Sequence, residues 1–336
     1  MNEYDGLKKL YQSSPRNPQQ LNTFNTSDTE VVQIKKDLFL ASSTDSLAVE
    51  IHTGLYKQPE TWGYLAVANS VSDLAASGAK PIGMLISAQW KKAHSGRVKT
   101  RVYAAVSKAL KTFDIPLLGG DSGSSSETVL TTTILGQAST RPLTRLGIKP
   151  GDLVILFGNF LGNGPALAYD YLKHQSRNNW ERQFRPSPTW KVTHEFRKYF
   201  KASMDTSDGI YNTLLTLAQL NNVSFKIDIA QIKLSPKLNS YRERHSIPMQ
   251  YFIESDLGDL QTCVAVDSKT YNKIKSHLPK HQILARAEKN TTQLSYVNYV
   301  ENNSHIENYV FLPNHLERKK FNYSRSLNLW LKQFSK

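Results

Sequence analysis

Six aspartates dominate the chemistry this chain offers. Asp28, Asp45, Asp73, Asp121, Asp205 and Asp208 fall at the apparent ends of elements, several beside Ser, Thr or Gly. Hard oxygen donors of this kind suit a magnesium ion. Asp73 carries the most information. The run Gly63 to Gly78 has helical composition and is otherwise uncharged, so the helix must be buried nearly all round, and a lone buried carboxylate requires a cation. Asn69, Asp73 and Ser77 recur at four-residue spacing and share one face of that helix, an edge open to water or one wall of a polar site.

The other aspartates admit two readings each. Asp121 follows Gly119-Gly120 at the end of an apolar strand, as a plain turn or as a place where backbone approaches phosphate and a carboxylate holds its metal. Asp205, Ser207 and Asp208 precede a leucine-periodic helix, as an N-cap with acidic neighbours favoured by the helix dipole or as a ligand set. Ser43-Thr44-Asp45 follows the strand Leu38 to Ala41, and Ser27-Asp28 precedes the strand Val31 to Ile34; either is compatible with turn chemistry. His52 has no second histidine at metal-ligand spacing, which argues against zinc and leaves two readings, a structural histidine or one that meets an anion. No Walker A pattern is present, and the glycines of 158–164 are wrongly spaced for a dinucleotide fingerprint.

These residues need a scaffold, and the hydrophobic pattern supplies one. Two alternating runs between Val31 and Ile51 read as strands. The helix Thr61 to Gly78 follows, then the strand IGMLISAQW, a helix over Thr100 to Phe113 and the strand VLTTTILGQA. RLGIKPGD, at Arg145 to Asp152, precedes a fresh buried strand, LVILFG, and sets a domain boundary near Lys149. The stretch from Tyr296 to Lys336 is too irregular to assign.

A chain of 336 residues with 39% hydrophobic and 21% charged residues is folded and long enough for two cores. No signal peptide or membrane span is evident, and the single cysteine, Cys263, excludes an intramolecular disulfide; both fit a soluble cytoplasmic protein. The net charge of +14 is scattered and accompanies no nucleic-acid module; it reads as a solvated basic surface that favours anionic ligands without choosing among them.

In order along the chain, these pieces resemble the motifs of the thiamine-monophosphate kinase family, within the aminoimidazole ribonucleotide synthetase superfamily. Ser43-Thr44-Asp45 resembles the family's strand-ending Ser-Thr-Asp, and Asn69 to Ala76 its Asn-x-Ser-Asp-x-Ala-Ala helix, continued by Ala79-Lys80-Pro81. Gly119-Gly120-Asp121, Arg145 with Lys149-Pro150-Gly151-Asp152, and Asp205-Thr206-Ser207-Asp208-Gly209 resemble three further motifs, so the likeness spans roughly residues 27 to 265.

The resemblance implies a two-domain α/β (α+β) PurM-like fold. Residues 1–148 would form an ATP- and magnesium-binding domain whose mixed sheet pairs across a homodimer, and 149–336 a C-terminal α/β sandwich. It implies Mg2+ ligands at Asp28, Ser43, Thr44, Asp45, Asp73, Asp121, Asp205 and Asp208, with Asp73, Asp121 and Asp208 catalytic. ATP would meet Gly120, Asp121, Arg145, Ser207 and Tyr103, the last also readable as a helical core tyrosine; His52 and Asp259 would face the substrate. The expected reaction is direct transfer of the γ-phosphoryl group of ATP to thiamine phosphate.

Three departures matter. The family's paired Asp-Asp is Ser27-Asp28 here, its Val-Glu-Gly-Val-His-Phe is Ala48-Val49-Glu50-Ile51-His52-Thr53, and its Gly-Glu-Asp-Tyr-Glu-Leu is Leu257-Gly258-Asp259-Leu260-Gln261-Thr262, in which a substrate-facing glutamate is lost or shifted. They keep open a superfamily relative with another acceptor and a nucleotide-binding paralogue without turnover. A basic RNA-associated protein whose aspartates are turns and caps ranks last.

Overall fold

The structure is a computed structural model that describes residues 3–158, 161–173, 179–291, 296–301, 304–306 and 331–332. The C-terminal stretch that the sequence leaves unassigned lies mostly outside them.

A first sheet has five strands in the order β1-β2-β5-β3-β4: β1 (Glu30–Lys35), β2 (Leu38–Leu47), β3 (Lys80–Lys91), β4 (Leu117–Ser125) and β5 (Val129–Ala138). All its pairs are antiparallel except β3 with β4, which helix α4 (Gly96–Phe113) connects. Helix α1 (Glu3–Ser13) precedes the sheet, and α2 (Val49–His52) and α3 (Pro59–Ser77) lie between β2 and β3.

A second sheet of seven strands, β12-β11-β8-β10-β6-β9-β7, is built from β6 (Leu153–Phe157), β7 (Ala202–Asp205), β8 (Val223–Asp228), β9 (Thr262–Val266), β10 (His281–Lys289), β11 (Val297–Glu301) and β12 (Ser304–Ile306). Its helices are α5 (Asn163–Leu172), α6 (Trp180–Gln183), α7 (Trp190–Phe196), α8 (Ile210–Asn221), α9 (Pro236–Arg244), α10 (Met249–Glu254) and α11 (Ser268–Ile274). Among the described residues no helix is long and apolar enough to cross a membrane.

Helix α3 is the hinge of the architecture. Pro59 starts it and Gly78, in the left-handed region at φ 67°, ends it. One side packs on β2, β5 and α4, the other on α7, β7 and β9. Its small residues permit this: a Cβ on Gly63 would lie 2.3 Å from the Val102 carbonyl oxygen of α4. Its backbone also holds the sheet, with Thr132 Oγ1 donating to Ala66 O at 2.7 Å.

Among the described residues, the first sheet has one covered and one bare face. Residues such as Ala41, Met84, Ile86, Leu130 and Ile134 face α3 and α4 and are buried. By strand alternation Thr44, Ser46, Leu85, Ser87, Thr131 and Thr133 project from the other face. There Thr44 and Thr133 share a hydrogen bond of 2.9 Å, Ser46 and Thr131 one of 2.8 Å, and Leu85 is 41% exposed.

Two expected strand ends are strand interiors. Asp45 lies within β2, because the β-favouring Ser and Thr around it prolong the pairing with β5. Asp121 lies within β4, an edge strand that tolerates its glycines because only β3 pairs with it.

Candidate active site

Three aspartates far apart in sequence converge where α3 meets the second sheet. One carboxylate oxygen each from Asp28, Asp73 and Asp205 lies within 4.8 Å of the others. Asp28 precedes β1, Asp73 sits one turn before the end of α3, and Asp205 ends β7.

Each carboxylate is oriented by hydroxyl or cationic donors. Ser43 Oγ donates to Asp73 Oδ2 at 2.5 Å, and Ser72 Oγ donates to Asp205 Oδ2 at 2.5 Å. Ser207 Oγ donates to Asp205 Oδ1 at 3.0 Å. Arg145 Nη2 lies 3.0 Å from Asp28 Oδ1, with the Asp28 side chain 3% exposed, and Arg145 Nη1 also donates to Asn25 O at 3.3 Å.

Among the described residues, the one guanidinium paired with the cluster, Arg145, does not balance three carboxylates. Burial, and then the charges of Asp205, Asp45 and Asp28, push the Asp73 carboxyl well above the usual carboxylate range. Burial and then Asp28 raise Asp205 to about 7. Burial opposes the charge on Arg145, but Asp28, Asp205 and Asp73 outweigh it and hold the guanidinium more firmly protonated than usual. An oxygen-only donor set with surplus negative charge, buried at a seam, fits a hard divalent cation such as magnesium.

Asp45 and Asp208 lie close enough to act on this cluster electrostatically, Asp45 on Asp73 and Asp208 on Asp205. The Asp45 carboxylate accepts from Ser46 N–H at 2.7 Å. The Thr44 hydroxyl, expected as a ligand, lies on the bare face against Thr133, because consecutive strand residues alternate.

Asp121 stands apart from the triad. Its neighbour Ser122 accepts from Trp90 Nε1 at 3.2 Å on the helix-covered side, so the Asp121 side chain projects from the bare face beside Ser87. With Gly120 and Tyr103 it borders a groove of about 910 Å³ between α4 and the β4 edge. Tyr103 is not the core residue its helical position suggests: it is 40% exposed, and its hydroxyl donates to Ser122 Oγ at 3.2 Å. Gly120 admits no side chain, since a Cβ would lie 2.2 Å from Ile86 O.

His52 ends α2 on the surface, its Nδ1 3.4 Å from Glu127 Oε2, and Lys91 Nζ lies 3.1 Å from the other oxygen of the same carboxylate. The anion it meets is thus protein. Asp259 also differs from expectation. Its carboxylate accepts from the backbone N–H groups of Gly162 at 2.5 Å and Gly164 at 2.8 Å, which commits it to the N-terminus of α5 instead of a substrate.

Sequence reasoning missed Ser72, although its place beside Asp73 on the buried helix was a signal. It also missed the Arg145 pairing with Asp28, which joins residues 117 apart and left no local trace.

Residues 26–138 match the family described as AIR synthase related protein, N-terminal domain. The thiamine-monophosphate kinase of Buchnera aphidicola subsp. Schizaphis graminum is 25% identical over 289 residues, covering 83% of this chain and 87% of that protein. That of Aquifex aeolicus is 27% identical over 218 residues, 63% of this chain and 71% of its own length. Among solved structures, AaThiL complexed with AMPPCP and TMP aligns at TM-score 0.73 and 24% identity, over 90% of this chain and 93% of that one. The hydrogenase maturation protein HypE of E. coli aligns at TM-score 0.64 and 16% identity over 82% and 86%, a likeness of fold alone.

Residues 26–138 thus carry an AIR synthase related N-terminal domain, and the whole chain shares the fold of AaThiL. In sequence the chain is similar to the thiamine-monophosphate kinases.

Proposed function

We propose that this chain transfers the γ-phosphoryl group of ATP to the phosphate of thiamine phosphate, giving thiamine diphosphate and ADP. The observation that carries this is the convergence of Asp28, Asp73 and Asp205 at the seam between the two sheets. The relatives named thiamine-monophosphate kinase, and a structural neighbour complexed with AMPPCP and TMP, support the choice of substrates.

Asp28, Asp73 and Asp205 would hold Mg2+, with Asp45, Asp208 and the Ser43 hydroxyl beside them. When bound, Mg2+ supplies charge neutralisation between two anionic phosphates. The protein's own part is positioning. Ser43 and Ser72 aim the carboxylates, Arg145 fixes Asp28, and the Asp205-to-Asp208 loop presents Ser207 to the nucleotide. The acceptor phosphate has a second pKa of about 6 and is mostly deprotonated at neutral pH, so no general base is required.

Tyr103, Gly120 and Asp121 form the nucleotide groove in this reading, and His52 stands at the substrate side. Asp121 projects from the bare sheet face, away from the triad. That supports a homodimer in which this face meets a second copy, with 1–148 as the ATP-binding and pairing domain and 149–336 as its partner domain. A single, buried Cys263 is consistent with a cytoplasmic setting.

The deciding experiment is ATP consumption by the purified chain, with Mg2+ or EDTA and with or without thiamine phosphate, followed as both ADP and thiamine diphosphate. Mg2+-dependent, equimolar formation of the two supports the proposal. ADP without thiamine diphosphate points to another acceptor, and no turnover with retained ATP binding to a non-catalytic paralogue.

A further inference from the structure

Residues 181–197 of the second half run the length of α3 and grip both of its ends. At the N-terminal end, Glu181 Oε1 accepts from the backbone N–H groups of Lys57 at 2.8 Å and Gln58 at 2.6 Å. Along the flank, the Tyr64 hydroxyl donates to Pro186 O at 2.8 Å, and Trp190 Nε1 ties the same segment to the end of the neighbouring α4, donating to Phe113 O at 2.9 Å. At the C-terminal end, Arg197 Nη1 donates to Gly78 O at 2.8 Å, and His194 Nδ1 lies 3.0 Å from the same oxygen.

The charges follow the polarity of the helix, with a carboxylate at its positive end and a guanidinium at its negative end. The fit at the C-terminal end is close. A Cβ on Gly78 would lie 3.2 Å from Thr193 O and 3.3 Å from Arg197 Cδ.

The two ends are not equivalent with respect to the carboxylate triad. Gly78 caps the C-terminus of α3, one turn beyond Asp73, whereas Gln58 is at the opposite end of a 19-residue helix. Arg197 begins the short 3-10 turn Arg197–Tyr199, from which the chain passes directly into β7 and Asp205. The Arg197 link to Gly78 therefore fixes the entry of β7 against the exit of α3. The Ser72 hydroxyl closes the same junction on Asp205.

We infer that Arg197 is a positioning residue: through Gly78 it sets the approach of Asp73 to Asp205, and with it the affinity of that pair for a divalent cation. This rests on the magnesium reading of the triad. Glu181 anchors the far end of the same helix and contributes to stability without setting that distance.

The test is Mn2+ alone bound to the purified full chain, followed by electron paramagnetic resonance, with the melting temperature measured in parallel. Arg197→Gln is expected to weaken Mn2+ binding about tenfold, the lower end for loss of a group that supports metal ligands. Arg197→Lys should restore most of the affinity. Glu181→Gln should lower the melting temperature yet leave Mn2+ affinity within about twofold of the wild type. Should Arg197→Gln fail to fold, His194→Ala removes the other donor to the same carbonyl and is expected to weaken binding in the same direction. Wild-type Mn2+ affinity in the Arg197 variant, or equal weakening by Glu181→Gln, overturns the inference while leaving the triad intact. Absence of Mn2+ binding by the wild type overturns both.

Discussion

At the scale of single residues, the triad is a store of repulsion that a bound cation would relieve. Asp73→Asn removes one of the like charges from a buried site, so the metal-free protein should melt at a higher temperature than the wild type, while turnover at saturating Mg2+ falls by about 10²-fold or more. Calorimetry in EDTA and steady-state kinetics check the two halves. The pH dependence has a definite sign. The Asp205 carboxyl is raised from 3.8 to about 7 in the folded state, so the folded chain holds a proton that the unfolded chain has released. Its contribution to stability is complete below about pH 4 and is lost as pH rises to about 7. In EDTA, the melting temperature of the wild type relative to Asp205→Asn should therefore fall across that interval and level off above it. Saturating Mg2+ should flatten the slope. A difference that rises with pH would refute the assigned shift.

At the scale of elements, the loop after β7 is held by interlocking glycines. A Cβ on Gly258 would lie 1.5 Å from Thr206 O, and one on Gly209 would lie 1.9 Å from Ser255 O. Gly258→Ala must therefore displace the segment bearing Asp205, Ser207 and Asp208. It should cost about 1–3 kcal/mol of stability and reduce Mg2+-dependent turnover at least tenfold, read by denaturant titration and by kinetics at saturating Mg2+. That segment illustrates what sequence could disclose. The helix α3, the acidic start of α8 and the strands of the first sheet were legible because local period and composition specify them. Asp259 was misleading: its motif position suggested a substrate, but the amides of Gly162 and Gly164, nearly a hundred residues earlier, claim it. Thr44 was misjudged for a different reason. A strand longer than the apolar run alone suggested turned its hydroxyl to the other face. The extent of β2 and β4 depends on their sheet partners, and no local pattern encodes that.

At the scale of the whole molecule, the bare face of the first sheet is the largest unresolved demand of the fold. Leu85 stands on β3, opposite Thr133 of the middle strand β5, and is exposed in the single chain. Leu85→Glu should leave the chain folded by circular dichroism but convert a dimer to a monomer in light scattering, with loss of ATP turnover. A dimer of unchanged strength would place the contact elsewhere. The sandwiching of α3 has a further consequence, for the way the chain is made. Its uncharged interior surface emerges from the ribosome with the first sheet, but the arginine that holds its end, Arg197, follows Gly78 by 119 residues. At about 5–20 residues per second, that is roughly 6–24 s during which an apolar helix flank has no cover. A fragment ending near residue 148 would remain permanently in that condition, so the two halves are obligate companions during synthesis, and the first half made alone should be recovered as an aggregate or in the hands of a chaperone.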